Sequence, residues 1–105
     1  MAAAYKVLGQ VNPPALTLTT LYTATLETVC STLSICNLGV STTVRVAVRP
    51  AGAAIDPKHY QVYDVALNQN DSLFFTLGYG LAATDVVSVY AGTANVAFSL
   101  FGATT

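Results

Sequence analysis

The side chains that could do chemistry in this chain are one histidine, two cysteines and a few carboxylates. A nucleophilic mechanism would pair His59 with Asp56 or Asp64 and take a cysteine as the nucleophile. Asp64 lies five residues along, hence on the opposite face of a strand, and Asp56 is separated from His59 by Pro57. No neighbouring group tunes the imidazole for acid–base work. We therefore interpret His59 as a surface imidazole beside a tyrosine, and we expect no enzyme and no catalytic residue.

The two cysteines, Cys30 and Cys36, fall within one predicted strand. At about 3.3 Å per residue they stand roughly 20 Å apart, whereas a disulfide needs Cα atoms within about 7 Å. We expect two separate, semi-buried thiols and no redox motif.

Metal and phosphate sites are equally poorly supported. Asp64, Asp71 and Asp85 could meet in space as a calcium site, but each lies near a strand end or turn, where lone acids commonly face solvent. The segment Gly78-Tyr79-Gly80 has neither the length nor the lysine of a phosphate-binding loop, and we expect a turn there. The sequence predicts no metal, no cofactor and no small-molecule substrate.

The composition is unusually poor in ions. Of 105 residues 9% are charged and 53% hydrophobic, and the net charge is −1, whereas soluble domains carry about 25% charged residues. Because the chain has only four Lys and Arg residues, we exclude a nucleic-acid-binding surface. Because disordered chains are poor in apolar residues, we also exclude disorder. The two long uncharged stretches, interrupted by Pro, Asn or Gly, do not resemble membrane spans, and the amino terminus does not resemble a secretory signal. We expect a soluble protein, made in the cytoplasm, whose surface consists largely of uncharged Thr, Ser, Asn and Gln side chains and is in large part covered by other chains.

Hydrophobic residues recur with a period of two, which indicates strands. In the segment 43–49, Val44, Val46 and Val48 alternate with Arg45 and Arg49. The segment 28–37 is expected to point Val29, Leu33 and Ile35 inward and Thr28, Cys30, Thr32, Ser34 and Cys36 outward. The segment 95–102 is expected to place Phe98 on one face and Phe101 on the other, under a second covering surface.

Turn signals divide the chain into about eight strands. They are predicted at Ala4–Gln10, Thr20–Ala24, Glu27–Asn37, Thr42–Arg49, His59–Ala66, Ser72–Leu77, Asp85–Ala91 and Asn95–Gly102. Short strands at this spacing, with no helix between them, are typical of an antiparallel β-sandwich or jelly roll. Residues 20–105 form the predicted sandwich domain. Residues 1–19 are either an extended arm that crosses a neighbour or an edge strand of the same sandwich.

Several strand sequences resemble small virion proteins of tailed bacteriophages. They are Tyr5–Gln10, Thr20–Thr23, Thr43–Ala53, Lys58–Tyr60 and Ala82–Ala91. The resemblance covers most of the chain and implies a non-enzymatic component that is present in many copies. It supplies no set of functional residues to carry over.

The first hypothesis is therefore a capsid decoration (cement) protein that binds the head exterior. Its expected partners are other copies of this chain, in a dimer or trimer, and the major capsid protein. The alternatives are a baseplate or fibre-attachment subunit of the tail and a carbohydrate-binding module that uses exposed tyrosines. No nucleic-acid or membrane partner is expected. The predicted interface residues are Tyr5, Val7, Leu8, Arg45, Arg49, Phe98 and Phe101.

Overall fold

The computed structural model describes residues 4–104 and confirms the predicted all-β sandwich. The strands are β1 (Ala4–Val11), β2 (Thr19–Thr23), β3 (Thr28–Asn37), β4 (Thr42–Arg49), β5 (Tyr60–Leu67), β6 (Ser72–Leu81), β7 (Val86–Ala91) and β8 (Val96–Thr104). All the bounds except the end of β6 lie within two residues of the predicted ones. The helical segments in the described part of the chain are two 3-10 turns, Pro50–Gly52 and Pro57–His59. No helix in that part could span a membrane.

The strands form two antiparallel sheets of four. Sheet 1 has the order β1-β8-β3-β6 and sheet 2 the order β2-β7-β4-β5. Consecutive strands thus alternate between the sheets, except where β4 leads directly into its neighbour β5. The arrangement matches the eight-stranded jelly roll, with two sheets facing one another across one core.

The amino-terminal strand belongs to this sandwich as an edge strand. β1 pairs along β8 from Ala4 opposite Thr104 to Val11 opposite Phe98, with a bulge between Val7 and Gly9. Of the two alternatives for residues 1–19, the described part corresponds to the edge strand. Residues 1–3 of that predicted segment, and residue 105 of the predicted sandwich domain, lie outside the described residues.

The core consists of side chains from both sheets that meet at the centre of the sandwich. β4 and β7 contribute valines, and β3 and β8 contribute larger groups; the fully buried members include Leu33, Ile35, Val44, Val46, Val87, Val89, Val96, Phe98 and Leu100. Val44 and Val46 follow the predicted alternation on β4. β-branched side chains suit this setting because they pack well on a pleated surface.

A bulge at Ser31 reverses the alternation of β3. Cys30 pairs with Gly102 and Thr32 with Phe101, so Ser31 is an extra residue that shifts the register. Leu33 and Ile35 point inward as predicted, but before the bulge the faces are exchanged. Thr28 and Cys30 are buried, and Val29 is 59% exposed. The prediction that Val29 points inward and Thr28 and Cys30 outward is therefore wrong.

Strand β6 continues through the segment that was predicted to turn. Tyr79 pairs with Cys30 and Gly80 with Val29, after a register shift in the ladder between β3 and β6. The bulge keeps the chain in the sheet, and Tyr79 packs against the core. The turn instead follows Leu81, where the amide of Asp85 donates to the carbonyl of Ala82.

Candidate functional site

The outer face of sheet 1 carries no charged side chain. Directly opposed residues in an antiparallel sheet share a face, so the register determines which residues lie on the outer face. One row joins Tyr5, Ala103 and Val29, and the next row joins Val7, Phe101 and Thr32. We call this surface the uncharged face; it comprises Tyr5, Val7, Gln10, Val29, Thr32, Ser34, Cys36, Ser72, Phe74, Thr76, Ala97, Ser99, Phe101 and Ala103.

Large apolar groups stand exposed on this face. Tyr5 and Phe74 are each 73% exposed, at opposite edges of the sheet, and Val29 is exposed between them. At one end, Val29, Leu81 and Ala103 line an open, mostly apolar pocket, with Glu27 of the preceding loop at its border. Four strands about 4.8 Å apart and about eight residues long give a flat footprint of roughly 500 Å². Within this area the apolar side chains are interspersed with six hydroxyl or amide side chains, so the face is uncharged without being uniformly apolar. Its exposed Tyr5, Val29 and Phe74 are the candidate contacts for a partner.

The predicted interface residues divide between this face and other surroundings. Tyr5, Val7 and Phe101 lie on the uncharged face. Leu8 points the other way and packs against the core. Phe98 is fully buried between the sheets, so the prediction that it contacts a partner is wrong. On β8 it lies on the same inward face as Val96 and Leu100, and its ring fills the core.

The two arginines occupy the opposite side of the molecule, on sheet 2. Arg45 donates to both carboxylate oxygens of Asp64 and lies between the rings of Tyr63 and Tyr90, 4.3 Å from each ring centroid. The ion pair raises the pKa of Arg45, and the hydrogen bonds from Arg45 lower the pKa of Asp64. Arg45 therefore already has a carboxylate partner within its own chain, and its place in an interface stays a prediction.

Arg49 also has partners within its own chain. Its Nε donates to the hydroxyl of Ser88 at 3.1 Å, and its Nη1 donates to the carbonyl of Ala53 at 3.1 Å. These bonds hold the guanidinium over sheet 2 and beside the turn that follows β4. The planar fork of an arginine suits such a clamp between a strand and a loop.

His59 is a buried capping residue, which corrects its interpretation as a surface imidazole. Its Nδ1 accepts the amide of Asp56 at 3.1 Å, and the Asp56 carboxylate accepts the amide of Lys58. Together they form a capping box around the short 3-10 turn. The histidine is 6% exposed, and its hydrogen bond holds the loop that leads into β5.

The three aspartates considered for calcium lie in separate environments. Asp64 binds Arg45, Asp71 accepts the amide of Ser72, and Asp85 accepts the amides of Ala51 and Ala82. Those amides lower the pKa of Asp85. Each carboxylate therefore holds a strand or turn in place. Across residues 4–104 no three His, Cys, Asp or Glu side chains group as metal ligands.

A second apolar recess lies beside β5. Pro57, Tyr60 and Tyr63 line it, and the two tyrosine rings meet edge to face with centroids 4.9 Å apart. Tyr63 is 57% exposed, although Arg45 already stacks on its ring. The recess offers aromatic surface to a ligand from solution.

Sequence reasoning did not identify Val29 and Phe74 as members of the uncharged face. The signal for Phe74 is present in the segment 72–76, where it alternates with Leu73 and Phe75. The exposure of Val29 depends on the bulge at Ser31, which the alternation alone does not reveal.

Comparison with known proteins finds no matching family model, no matching curated protein and no matching solved structure.

Proposed function

We propose that this protein is a non-enzymatic structural component of a virus particle, a decoration (cement) protein that binds the exterior of an assembled bacteriophage head. The observation that carries the proposal is the uncharged face, a whole sheet surface with exposed Tyr5, Val29 and Phe74 and no ion. The charges of the chain lie elsewhere, on sheet 2, in the connecting loops and at Lys6. A molecule with this asymmetry is suited to lie flat on a protein surface.

The fold supports the same proposal by analogy. Eight-stranded jelly rolls recur in viral capsid and lectin domains, and the strand order of this chain is of that kind. A fold does not by itself determine a function, so the argument depends on the surface. The resemblance of the strand sequences to small phage virion proteins points the same way.

The mechanism is thermodynamic. A partner that binds only the assembled shell stabilises it by mass action. The footprint of roughly 500 Å² is below the roughly 800 Å² that each partner contributes to a standard interface, so we expect each single contact to be modest. Many copies add their modest contacts over the particle.

The test is to locate the protein on purified bacteriophage particles whose genome encodes it and to count its copies per particle. Labelled protein seen on heads by electron microscopy, with hundreds of copies per particle on quantitative gels, supports a decoration role. A few dozen copies on the tail support the alternative of a baseplate or fibre-attachment subunit. Absence from particles overturns both.

A matched pair of variants tests the surface. Val29→Lys places a charge on the uncharged face, where burial of an unpaired ammonium against a partner is costly. We expect at least about a tenfold loss of particle affinity, equivalent to about 1.4 kcal/mol. Thr20→Lys adds the same charge on exposed β2 in sheet 2 and leaves the affinity unchanged. Equal affinities for both variants count against docking through the uncharged face.

The aromatic recess favours a second candidate, a carbohydrate-binding module for host adsorption. Tyr60, Tyr63 and Pro57 present the kind of surface on which sugar rings stack. Purified protein that binds on a glycan array, and loses the signal in Tyr60→Ala, supports this candidate. An array without signal removes it.

A further inference from the structure

The four edge strands of the sandwich differ in how they are protected from pairing with another chain. Edge strands present a row of unpaired backbone groups, and natural proteins blunt them with charges, bulges or shortness. β1 carries Lys6 and a bulge after Val7, and at Gly9 it closely approaches the backbone of Leu21 in β2. β2 is only five residues long and has a register shift of its own.

The edge of sheet 2 at β5 has protection of another kind. Its register against β4 shifts twice, and Asp64 adopts a left-handed backbone conformation with φ 51°. The charged pair of Asp64 with Arg45 lies at this bulge. A strand that approached β5 would meet an interrupted ladder and a fixed ion pair.

β6 lacks these devices over its first half. The strand is ten residues long and contains neither a charged residue nor proline. From Ser72 to Thr76 it pairs with β3 in unbroken register, because the bulge comes only after Thr76. A regular, uncharged and exposed edge is the arrangement that pairs most readily with a second strand.

We propose that two copies of this chain pair through the Ser72–Thr76 segments of β6, antiparallel and about a two-fold axis beside Phe74, to make one continuous eight-stranded sheet. An antiparallel strand is complementary to itself, since each copy offers the same donors and acceptors in reverse order. The proposal thus commits to a second copy as the occupant of this edge.

Side chains and charge favour the same occupant. About the proposed axis, Ser72 lies opposite Thr76 of the partner subunit, and Phe74 lies opposite the partner's Phe74. Cβ atoms in such pairs stand about 4.5–5.5 Å apart. An aromatic side chain that is 73% exposed in the single chain gains an aromatic neighbour. No charge on the segment opposes the approach of an identical segment.

Pairing through this edge leaves the uncharged face open and doubles its extent. The two outer faces join into one surface of about 1,000 Å² in footprint. The use of this surface to hold a shell rests on the proposed function, whereas the pairing itself concerns the protein in solution. A dimer on two equivalent shell sites also gains from effective concentration.

Light scattering on the purified full chain tests the proposal through a matched pair of variants. Phe74→Lys and Tyr5→Lys change equally exposed aromatic residues of the same face at opposite edges. We expect a wild-type mass of about twice 10.9 kDa, a single-chain mass for Phe74→Lys and a dimer for Tyr5→Lys. A wild-type monomer at micromolar concentration overturns the proposal. So does a monomeric Tyr5→Lys, which indicates face-to-face packing, or a dimeric Phe74→Lys.

Cross-linking covers the case in which Phe74→Lys does not fold. In a Cys36→Ser background, Phe74→Cys chains should form a covalent dimer under mild oxidation, and Tyr5→Cys chains should not. Absence of the Phe74→Cys dimer contradicts the two-fold position. Because no particles enter either experiment, a failure of particle binding leaves the dimer result intact, and a monomer in solution leaves the particle test intact.

Discussion

The carboxylate of Asp64 accepts hydrogen bonds from Nε and Nη2 of Arg45, across the ladder between β5 and β4. Asp64 reaches this position from a bulge, where its backbone has φ 51°. Tyr63, the other residue of the bulge, stacks on the same guanidinium. One irregularity therefore brings two consecutive side chains onto a single arginine.

Stability should fall in acid partly through Asp64. The hydrogen bonds from Arg45 lower its pKa below the ordinary 3.8, so its contribution is present above that value and is lost as the pH falls through the folded-state pKa. We expect Asp64→Asn to flatten the dependence of the free energy of unfolding on pH below about 4. Urea unfolding across this range measures the slope. Gln69→Ala, which removes no carboxylate, should keep the wild-type slope, and a wild-type slope in Asp64→Asn would contradict the prediction.

Gly102 is required by a close contact between β8 and β3. A Cβ there would collide with the carbonyl oxygen of Val29 and lie 3.0 Å from the Cα of Cys30. We expect Gly102→Ala to lower the free energy of unfolding by about 2 kcal/mol or more, because backbone must move. Gly80→Ala meets nothing within 4 Å and should change it by less than about 0.5 kcal/mol. Denaturant titration compares the two, and equal stabilities count against the contact.

Phe98 should dominate the core and Tyr5 should not matter to it. Phe98 is fully buried, so Phe98→Ala should cost about 3–5 kcal/mol of unfolding free energy. Tyr5→Ala removes an aromatic side chain that is 73% exposed and should cost less than about 1 kcal/mol. Thermal and chemical unfolding measure both. A mild effect of Phe98→Ala would place this side chain outside the core.

The two thiols should differ in reactivity. Cys30 is buried, and burial raises its pKa to about 11, while Cys36 lies partly exposed on the uncharged face. Because thiolate is the reactive form, native protein should take up one equivalent of an alkylating reagent, on Cys36, and denatured protein two. Peptide mass spectrometry locates the label. A Cys36→Ser chain should remain unlabelled when native. Rapid labelling of Cys30 would contradict its position on the buried face of β3.

The alternation of apolar and polar residues, together with the turn signals between the runs, was enough to predict the strands and the sandwich. Val44 and Val46 point inward because a period of two has one buried face in a sandwich. Val29 could not be placed in the same way, since one extra residue, Ser31, exchanges the faces of all residues before it. Gly78 and Gly80 indicate a turn locally, yet pairing with β3 keeps them in the sheet.

The site was less accessible to sequence reasoning than the fold. Tyr5, Val7 and Phe101 share one face because the register of β1 with β8 brings them together. Membership of Phe74 depends on which strand lies at the far edge, and strand order does not follow from the pattern of a single strand. The burial of His59 depends on the loop that folds over it, through a bond to the amide of Asp56.

The absence of charge on the outer face of sheet 1 has a consequence for how association responds to the medium. Dissolved ions weaken contacts by screening Coulombic attraction, and this surface offers none to screen. Salts that are excluded from protein surfaces strengthen apolar burial. The affinity of a contact made through this sheet should therefore not fall as the salt concentration rises, unlike the affinity of a contact held by lysines and carboxylates.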